Sequence, residues 1–406
     1  MRARIIPGVT VITTAERRDR LVAAAIDAAG SADFGDDLGS DSWQEGLDIY
    51  LESLDESARL NEIGVGVADD GIVGDLANRL RIEAWRRDHP GVAAQEVRRP
   101  IVIVGQPRTG TTILHDLMAQ DPANRAPISW ELERPVPAPR TETFLTDPRI
   151  EECQAGFDLV ESFIPGFTAF HELGARLAQE DVRIFTSDFK SMQHSLQFEV
   201  PAYNRWLLHE ADMSSAYRWH RRFLQHLQSE HHAERWLLKS PAHLWTLPAL
   251  LAEYPDAVVI QTHRDPLKVI ASISALGASL REMTTDHFEV TRLAAQYGDD
   301  IPVGLDRALQ ARRDGLFGPG QVVDVRYQDI RHDLIGAVAR IYDEIGLDLT
   351  AEAESRMRAF LDAHPGDQAG SLKRYSFSET GLDEGALRER VREYQEYFEV
   401  ESEPLG

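Results

Sequence analysis

Residues 105–112 (GQPRTGTT) are the segment of this sequence best suited to bind an anion. They follow a short apolar run and precede a helical pattern, so glycine allows a tight turn and the first amides of the helix face the loop. The glycine spacing matches the Walker A phosphate loop, but Thr111 stands where that motif has lysine. Arg108 supplies a cation that can donate two hydrogen bonds to one phosphate or sulfate. The side chains and amides predicted to contact the anion belong to Gly105, Pro107, Arg108, Thr109, Gly110, Thr111 and Thr112.

A second candidate anion site lies where the apolar run 257–262 ends. Arg264 follows this run, and Asp265 has the residue type of a helix N-cap. Asp265, Lys268 and Ser272 recur at spacings of three and four, which places them on one face of the helix. The Ser272 hydroxyl can therefore turn toward Arg264, and one anion could contact both side chains. Taken alone, this block is equally compatible with an ion pair between Arg264 and Asp265 or another carboxylate, with Ser272 an ordinary helical serine.

Together the two blocks resemble the nucleotide-binding motifs of sulfotransferases that use 3′-phosphoadenylyl sulfate (PAPS). In that family, a loop similar to residues 107–112 binds the 5′-phosphosulfate, and an arginine and a serine spaced like Arg264 and Ser272 bind the 3′-phosphate. The resemblance covers about residues 70–400 and points to the bacterial branch with GxPRTGTT and LKSPxHL motifs. It implies that PAPS is the co-substrate and that sulfonate transfer is the activity.

Further residues enter through this resemblance. Lys239 in LLKSPAHL matches a lysine segment between the two phosphate sites, and Tyr327 in VRYQDI stands where many members have an aromatic residue near the adenine. Core packing is the alternative for Tyr327. Lys373 and Arg374 in KRYS match a basic C-terminal loop that closes over the nucleotide. Pro241 occupies the position of the catalytic histidine of the animal cytosolic members, so another residue must be the base.

Sulfonate transfer requires groups that align the donor with the acceptor and neutralise charge on the departing phosphate. Arg108 and Lys239 have the charge for this role. A hydroxyl acceptor also needs a general base within hydrogen-bond reach. Three candidates stay open, namely Glu131 in ISWELERP, His243 in LKSPAHL and His171 in an aromatic segment. No residue pattern predicts a metal site, and we expect the reaction to use no metal.

The elements that must position these residues alternate between strand and helix patterns. Short apolar runs end at Gly105 and occupy 236–239, 257–262 and 322–327, and a helical pattern follows each of them. Apolar runs without polar alternation predict a parallel sheet covered on both faces. The predicted fold class is therefore α/β, with a P-loop-like parallel sheet flanked by helices and preceded by an N-terminal helical extension.

The predicted division places a helical extension at residues 1–95 and a sulfotransferase-like α/β domain at 96–406, with a helical acceptor-pocket insertion at about 140–232. Helical periodicity in the extension predicts helices over 15–29, 42–61 and 72–88. Nine of the fifty residues from 157 to 206 are aromatic, against 8% of the whole chain. These rings either pack in a helical core or line the pocket of a small apolar or aromatic acceptor.

Composition limits the remaining functions. The 406-residue chain is 43% hydrophobic and 27% charged, as in globular proteins, and its formal charge of −24 disfavours nucleic acid and anionic membrane as partners. No apolar run is long enough to span a bilayer. Cys153 is the single cysteine, so no internal disulfide can form and we expect a cytoplasmic protein. The expected partner is a small-molecule acceptor, and the N-terminal helices make a homodimer a further expectation.

Two other functions fit parts of the sequence. A P-loop small-molecule kinase or nucleotidase would need a lysine in the loop or a magnesium-binding acid near it, and neither is found at the expected positions. A non-catalytic nucleotide-binding scaffold would bind the same nucleotide without transferring a group.

Overall fold

A five-stranded parallel sheet forms the centre of the protein, with strand order β2-β3-β1-β4-β5. The computed structural model describes residues 12–35, 38, 42–163, 174–364 and 376–405. The strands are β1 (Ile101–Gly105), β2 (Asn124–Arg125), β3 (Arg235–Lys239), β4 (Val258–His263) and β5 (Val322–Arg326).

Helices account for most of the rest of the described chain. Before the sheet lie α1 (Thr14–Ala29), α2 (Ser42–Ser53) and α3 (Glu62–Asp88). Between β1 and β3 lie α4 (Thr111–Met118), α5 (Ser129–Glu133), α6 (Arg149–Phe163), α7 (Met192–Gln197), α8 (Pro201–His209) and α9 (Ser214–Gln228). Between β3 and β5 lie α10 (Leu247–Glu253), α11 (Pro266–Thr284) and α12 (Val290–Arg313). After β5 come α13 (Tyr327–His332), α14 (Leu334–Glu344), α15 (Ala351–Ala363) and α16 (Glu384–Tyr397). Short turns of other helix types are the π-helical Leu54–Ala58 and the 3₁₀ helices Pro90–Ala94, Thr141–Thr143, Asp181–Asp188, Pro241–Trp245 and Phe377–Thr380.

The sheet brings the predicted functional segments to one edge. All five residues of β1 are buried, and β1 lies between β3 and β4 with Ile103 opposite Lys239 and Gly105 opposite Thr262. Because the strands are parallel, the loops that follow them emerge side by side. The predicted α/β class, with helices flanking a P-loop-like parallel sheet, is confirmed.

The N-terminal helices differ from their predicted bounds at two places. α2 ends at Ser53, and α3 begins at Glu62 rather than at residue 72. Glycines obscure the helical pattern at the start of α3, but Gly64 is needed there because a Cβ atom would lie 2.1 Å from the Thr284 carbonyl oxygen of α11. The Asn61 side chain caps α3 by accepting from the Gly64 amide at 2.8 Å.

A buried ion pair joins the N-terminal helices to the remainder of the protein. Arg79 Nη1 of α3 lies 2.8 Å from Asp188 Oδ1, and neither side chain is exposed. The boundary near residue 95 and the acceptor-pocket insertion at about 140–232 remain predictions. In the ranges that the structure describes, no helix has both the length and the apolar character needed to cross a membrane.

Candidate active site

The loop between β1 and α4 has the curvature of a phosphate-binding turn. Gly105, Arg108 and Gly110 have φ values of 142°, 67° and 88°. Glycine is required at position 105 because a Cβ atom would lie 2.2 Å from Thr262 Oγ1. Arg108 is held in the left-handed region, which residues other than glycine seldom adopt outside functional or over-determined sites. The loop leads into α4, whose first amides are available to an anion.

The predicted loop residues divide into two groups. Pro107, Arg108, Gly110, Thr111 and Thr112 line a cavity. The Thr109 side chain was predicted to contact the ligand, but it is buried and donates to the Gln106 carbonyl at 2.6 Å. It also lies 2.6 Å from the Thr262 hydroxyl on β4. The Thr109 hydroxyl therefore fixes the loop to the sheet, and Gly105 shapes the turn.

The two predicted anion-binding blocks meet in the structure. Arg264 Nη1 donates to the Arg108 carbonyl at 2.8 Å, and Arg108 Nε donates to Ser272 Oγ at 3.1 Å. The Arg264 guanidinium lies over the Tyr327 ring, 4.0 Å from its centroid. All four side chains line the same cavity. The Tyr327 ring therefore packs against the Arg264 guanidinium, and Tyr327 is not a core residue.

An acidic C-terminal segment already contacts Arg264. Arg264 Nε and Nη2 donate to the two carboxylate oxygens of Glu403 at 2.8 and 3.0 Å. The Glu403 amide donates to Asp265 Oδ2 at 2.7 Å, while Asp265 Oδ1 caps α11 through the Leu267 amide. An anion bound at Arg264 must therefore displace Glu403 or share the guanidinium with it.

Lys239 and Glu180 form an ion pair at the end of β3. Lys239 Nζ lies 2.6 Å from Glu180 Oε1 and 3.4 Å from Thr112 Oγ1, and the side chains of Lys239 and Glu180 are 2% and 23% exposed. Both line the cavity beside the phosphate loop. Hydrogen bonds from the Gln179 amide to the Pro127 carbonyl and from the Ser129 amide to the Leu177 carbonyl anchor the segment before Glu180. The pair places a carboxylate next to a cation at the start of α4.

Sequence reasoning missed Glu180. No motif spacing connects it to Lys239, which follows it by 59 positions. Its one sequence signal is the acidic pair Glu180–Asp181 near the aromatic segment, and such pairs are common on protein surfaces.

Glu131, the first predicted base, has a structural role instead. It is fully buried, and its oxygens accept from Arg125 Nη2 at 2.6 Å and from the Ile128 amide at 3.1 Å. The second of these bonds caps α5. Burial raises the pKa of Glu131. Since Glu131 is fully buried and is not among the cavity-lining residues, a bound acceptor cannot reach its oxygens.

His243, the second predicted base, is also withdrawn from the cavity. It is 1% exposed, with Nε2 at 2.8 Å from Asp181 Oδ2 and Nδ1 at 2.8 Å from the Tyr217 hydroxyl. Both ring nitrogens therefore have protein partners, which leaves none for an acceptor. His171, Lys373 and Arg374 lie outside the described residues.

The cavity is large and continues from the phosphate loop toward α3. Its volume is about 2410 Å³, against roughly 300–1,000 Å³ for ordinary ligand sites. The cavity lining includes the apolar side chains Ile63, Val67, Leu159, Leu276 and Leu280. The space is sufficient for a nucleotide and a second, apolar molecule. In the described parts of the chain, no group of three or more His, Cys, Asp or Glu residues is arranged to hold a metal ion.

The aromatic segment contributes to both the core and the cavity. Phe157 and Phe198 line the cavity. Phe185, Phe189 and Tyr203 are buried among apolar neighbours. The enrichment in aromatic residues is therefore mainly a packing feature, and a minority of the described rings line the cavity.

A parallel sheet with an arginine-bearing phosphate loop, a second arginine and a lysine–glutamate pair defines a P-loop-like group-transfer enzyme. The sequence profile of the Sulfotransferase family matches residues 100–351, and the chain belongs to this family. The resemblance predicted from the two motif blocks is confirmed, and the kinase or nucleotidase alternative is set aside.

Similar proteins include three mycobacterial sulfotransferases. The crystal structure of sulfotransferase STF9 from Mycobacterium avium is 33% identical, with a TM-score of 0.85 over 97% of this chain and 99% of that chain. Sulfotransferase STF1 from Mycobacterium tuberculosis is 32% identical, with a TM-score of 0.81 over 92% and 97% of the two chains. The omega-hydroxy-beta-dihydromenaquinone-9 sulfotransferase Stf3 of Mycobacterium tuberculosis is 27% identical over 277 residues, which are 65% of this chain and 67% of Stf3.

Proposed function

We propose that this chain is a cytoplasmic enzyme that transfers a sulfonate group from PAPS to a hydroxyl or amine of a small apolar acceptor. The observation that carries this proposal is the contact between the two anion-binding blocks. Arg264 bonds to the Arg108 carbonyl at 2.8 Å, and Arg108 bonds to Ser272 at 3.1 Å. The two strand ends that carry Arg108 and Arg264 are thereby adjacent, and both side chains line one cavity, which suits one nucleotide with phosphate groups on both sides of its ribose.

The basic side chains that line the cavity suit this anionic nucleotide. The whole chain has a formal charge of −24, yet five cations line the cavity near the sheet edge: Arg108, Lys239, Arg264, Lys268 and Arg331. Guanidinium groups bind phosphate and sulfate oxygens with short charge-assisted hydrogen bonds. Local positive charge thus opposes the repulsion that the acidic chain exerts on an anionic ligand.

The chemistry requires one bond to form and one to break. PAPS supplies a sulfonate whose sulfur bonds to the acceptor oxygen as its bond to the 5′-phosphate oxygen breaks. Arg108 and Lys239 neutralise the negative charge that grows on the departing phosphate oxygen. Glu180 takes the acceptor proton, because its carboxylate is partly exposed to the cavity and adjoins the Lys239 ammonium at 2.6 Å. Lys239 therefore orients Glu180 and also faces the transferring group.

The acceptor is proposed to occupy the apolar part of the cavity. Phe157 and Phe198, which belong to the predicted insertion, line the cavity, as do Ile63 and Val67 of α3. The relative Stf3 acts on a hydroxylated dihydromenaquinone. A hydroxyl on an elongated apolar molecule fits both observations.

The test combines nucleotide binding with transfer. Calorimetry should detect micromolar binding of adenosine 3′,5′-bisphosphate. Incubation with sulfur-labelled PAPS and a panel of nitrophenol, dodecanol, farnesol and dodecylamine should label at least one acceptor. Absence of bisphosphate binding at micromolar concentration contradicts the proposal. Binding without transfer to any apolar acceptor favours the scaffold alternative.

The homodimer also remains a proposal. Light scattering on the purified chain gives a mass to compare with the 45.6 kDa of one copy. A value near twice that mass supports the dimer, and a value near 45.6 kDa contradicts it.

A further inference from the structure

A buried carboxylate lies directly beside the proposed base. Asp181 follows Glu180, begins the 3₁₀ helix Asp181–Asp188 and is fully buried. Its Oδ2 accepts from His220 Nε2 at 2.9 Å and from His243 Nε2 at 2.8 Å. His220 comes from α9, whereas His243 lies in the 3₁₀ turn that follows Lys239.

The neighbours determine which atoms of this cluster carry protons. Burial disfavours the Asp181 charge, but His243 and His220 hold the pKa of Asp181 well below its usual range. An ionised carboxylate only accepts hydrogen bonds, so each Nε2 atom carries a proton. The Tyr254 hydroxyl lies 2.7 Å from His220 Nδ1, and the Tyr217 hydroxyl lies 2.8 Å from His243 Nδ1. Burial lowers the pKa of His220, so its Nδ1 atom accepts from the Tyr254 hydroxyl, while the Tyr217 hydroxyl also lies 2.7 Å from Thr246 Oγ1. Both imidazoles donate to one carboxylate through Nε2.

We propose that Asp181, His220 and His243 are positioning residues that hold the Glu180 carboxylate against Lys239. Asp181 is the chain neighbour of Glu180, and His243 lies in the turn directly beyond Lys239. The Asp181–His243 hydrogen bond therefore connects the two backbone segments that carry the proposed base and its cation. The inference rests on the proposed function, since it assigns the cluster a role in sulfonate transfer.

Packing makes the connection rigid. The Phe185 ring stacks on His220 with centroids 5.1 Å apart and meets the His243 ring edge-on at 5.8 Å. The Asp181, His220 and His243 side chains are at most 1% exposed, so water does not compete for the hydrogen bonds. Reacting groups tolerate little misplacement, and an error of about 1 Å can cost roughly a hundredfold in rate.

The substitution Asp181→Asn tests this role. An asparagine carbonyl oxygen can still accept from both imidazoles, but without the negative charge both hydrogen bonds are weaker. The amide N–H groups would then take the place of Asp181 Oδ1, which is buried and has no hydrogen-bond partner among the described residues. We expect kcat to fall about tenfold or more, while the dissociation constant of adenosine 3′,5′-bisphosphate changes by less than about twofold. The turnover is measured with the best acceptor of the panel above.

Asp188→Asn is the matched control. Asp188 is equally buried, ends the same 3₁₀ helix and pairs with Arg79 and Ser215. Both variants should lower the midpoint of thermal unfolding, but Asp188→Asn should leave kcat within about twofold of the parent enzyme. An equal loss of kcat in both variants overturns the inference, as does an unchanged kcat in Asp181→Asn.

A second pair of variants tests the positioning role if Asp181→Asn does not fold. His243→Gln keeps an amide N–H near the position of Nε2, whereas His243→Leu removes the donor. We expect His243→Gln to retain kcat within about threefold and His243→Leu to lose about tenfold or more. Equal activities of these two variants overturn the inference.

Crystal structures separate this inference from the proposed function. In Asp181→Asn or His243→Leu, the Glu180 carboxylate should lie beyond about 3.5 Å from Lys239 Nζ, whereas Asp188→Asn should retain the contact. Displacement of Glu180 together with an inactive parent enzyme supports positioning and contradicts sulfonate transfer. An undisturbed pair in an active enzyme contradicts the positioning role and leaves the proposed function intact.

Discussion

Arg264 is the side chain of the site whose present contacts compete most directly with a ligand. It stacks on Tyr327 and pairs with Glu403, yet the proposed function requires it to bind a 3′-phosphate. The Arg264 side chain is 18% exposed and lines the cavity, so a ligand can reach it without unfolding the site. The residue is therefore a sensitive probe of which nucleotide the protein binds.

Arg264→Ala should weaken binding of adenosine 3′,5′-bisphosphate more than binding of 5′-AMP. A charged hydrogen bond contributes about 1.5–3 kcal/mol, or about ten- to a hundredfold in affinity. Calorimetry with both nucleotides measures the difference. Arg356→Ala is the control, since Arg356 is an exposed α15 residue paired with Glu352. Equal losses for the two nucleotides contradict the assignment of Arg264.

Glu180→Gln should reduce turnover and leave nucleotide binding unchanged. The amide cannot accept the acceptor proton, so kcat should fall about a hundredfold or more. The bisphosphate dissociation constant should stay within about twofold, because Glu180 is not proposed to contact the nucleotide. Glu152→Gln, at another glutamate that lines the cavity, should keep its turnover. A kcat that survives in Glu180→Gln shows that another group takes the proton.

The C-terminal segment is the element with the most direct link to nucleotide binding. Glu403 occupies Arg264, and Leu405 reaches the cavity lining. Glu403→Gln should therefore strengthen bisphosphate binding, because a competing carboxylate is removed. The pair is partly exposed, so the gain should be about two- to fivefold, as for an ion pair worth up to about 1 kcal/mol. Titrations at equal ionic strength measure it, and weaker binding in Glu403→Gln would indicate that Glu403 orients Arg264 for the ligand.

Strands and phosphate loop were predictable from the sequence, because each signal is local. β1, β3, β4 and β5 lie within a residue or two of their predicted runs. β2 was not predicted, since Asn124 and Arg125 form a two-residue strand with no apolar run. α3 began earlier than predicted because close packing on α11 selects glycine at position 64.

Only the site residues that belong to a sequence motif could be predicted from the sequence. Arg108 and Arg264 are marked by the strand ends that precede them, and the structure brings them together. The proposed base Glu180 is paired with Lys239 through tertiary folding, and no sequence spacing records that contact. The structure buries Glu131 and His243 away from the cavity lining, and neither burial nor hydrogen-bond partners can be read from residue type.

For the whole molecule, the structure predicts that the N-terminal helices and the α/β part unfold together. Arg79→Met breaks the fully buried pair with Asp188, which should cost about 3–5 kcal/mol of unfolding free energy. Urea unfolding followed by circular dichroism and by tryptophan fluorescence should show one coincident transition at a lower midpoint. Two separate transitions, with only one shifted, would indicate an independently stable extension at residues 1–95.

The most direct test of the account is a crystal structure of the protein with adenosine 3′,5′-bisphosphate. We predict that the 5′-phosphate lies on the 105–112 loop and that the 3′-phosphate contacts Arg264 and Ser272. Glu403 should then have moved off the Arg264 guanidinium or share it with the phosphate. A nucleotide bound elsewhere, or a 3′-phosphate without contact to Arg264 and Ser272, contradicts the account.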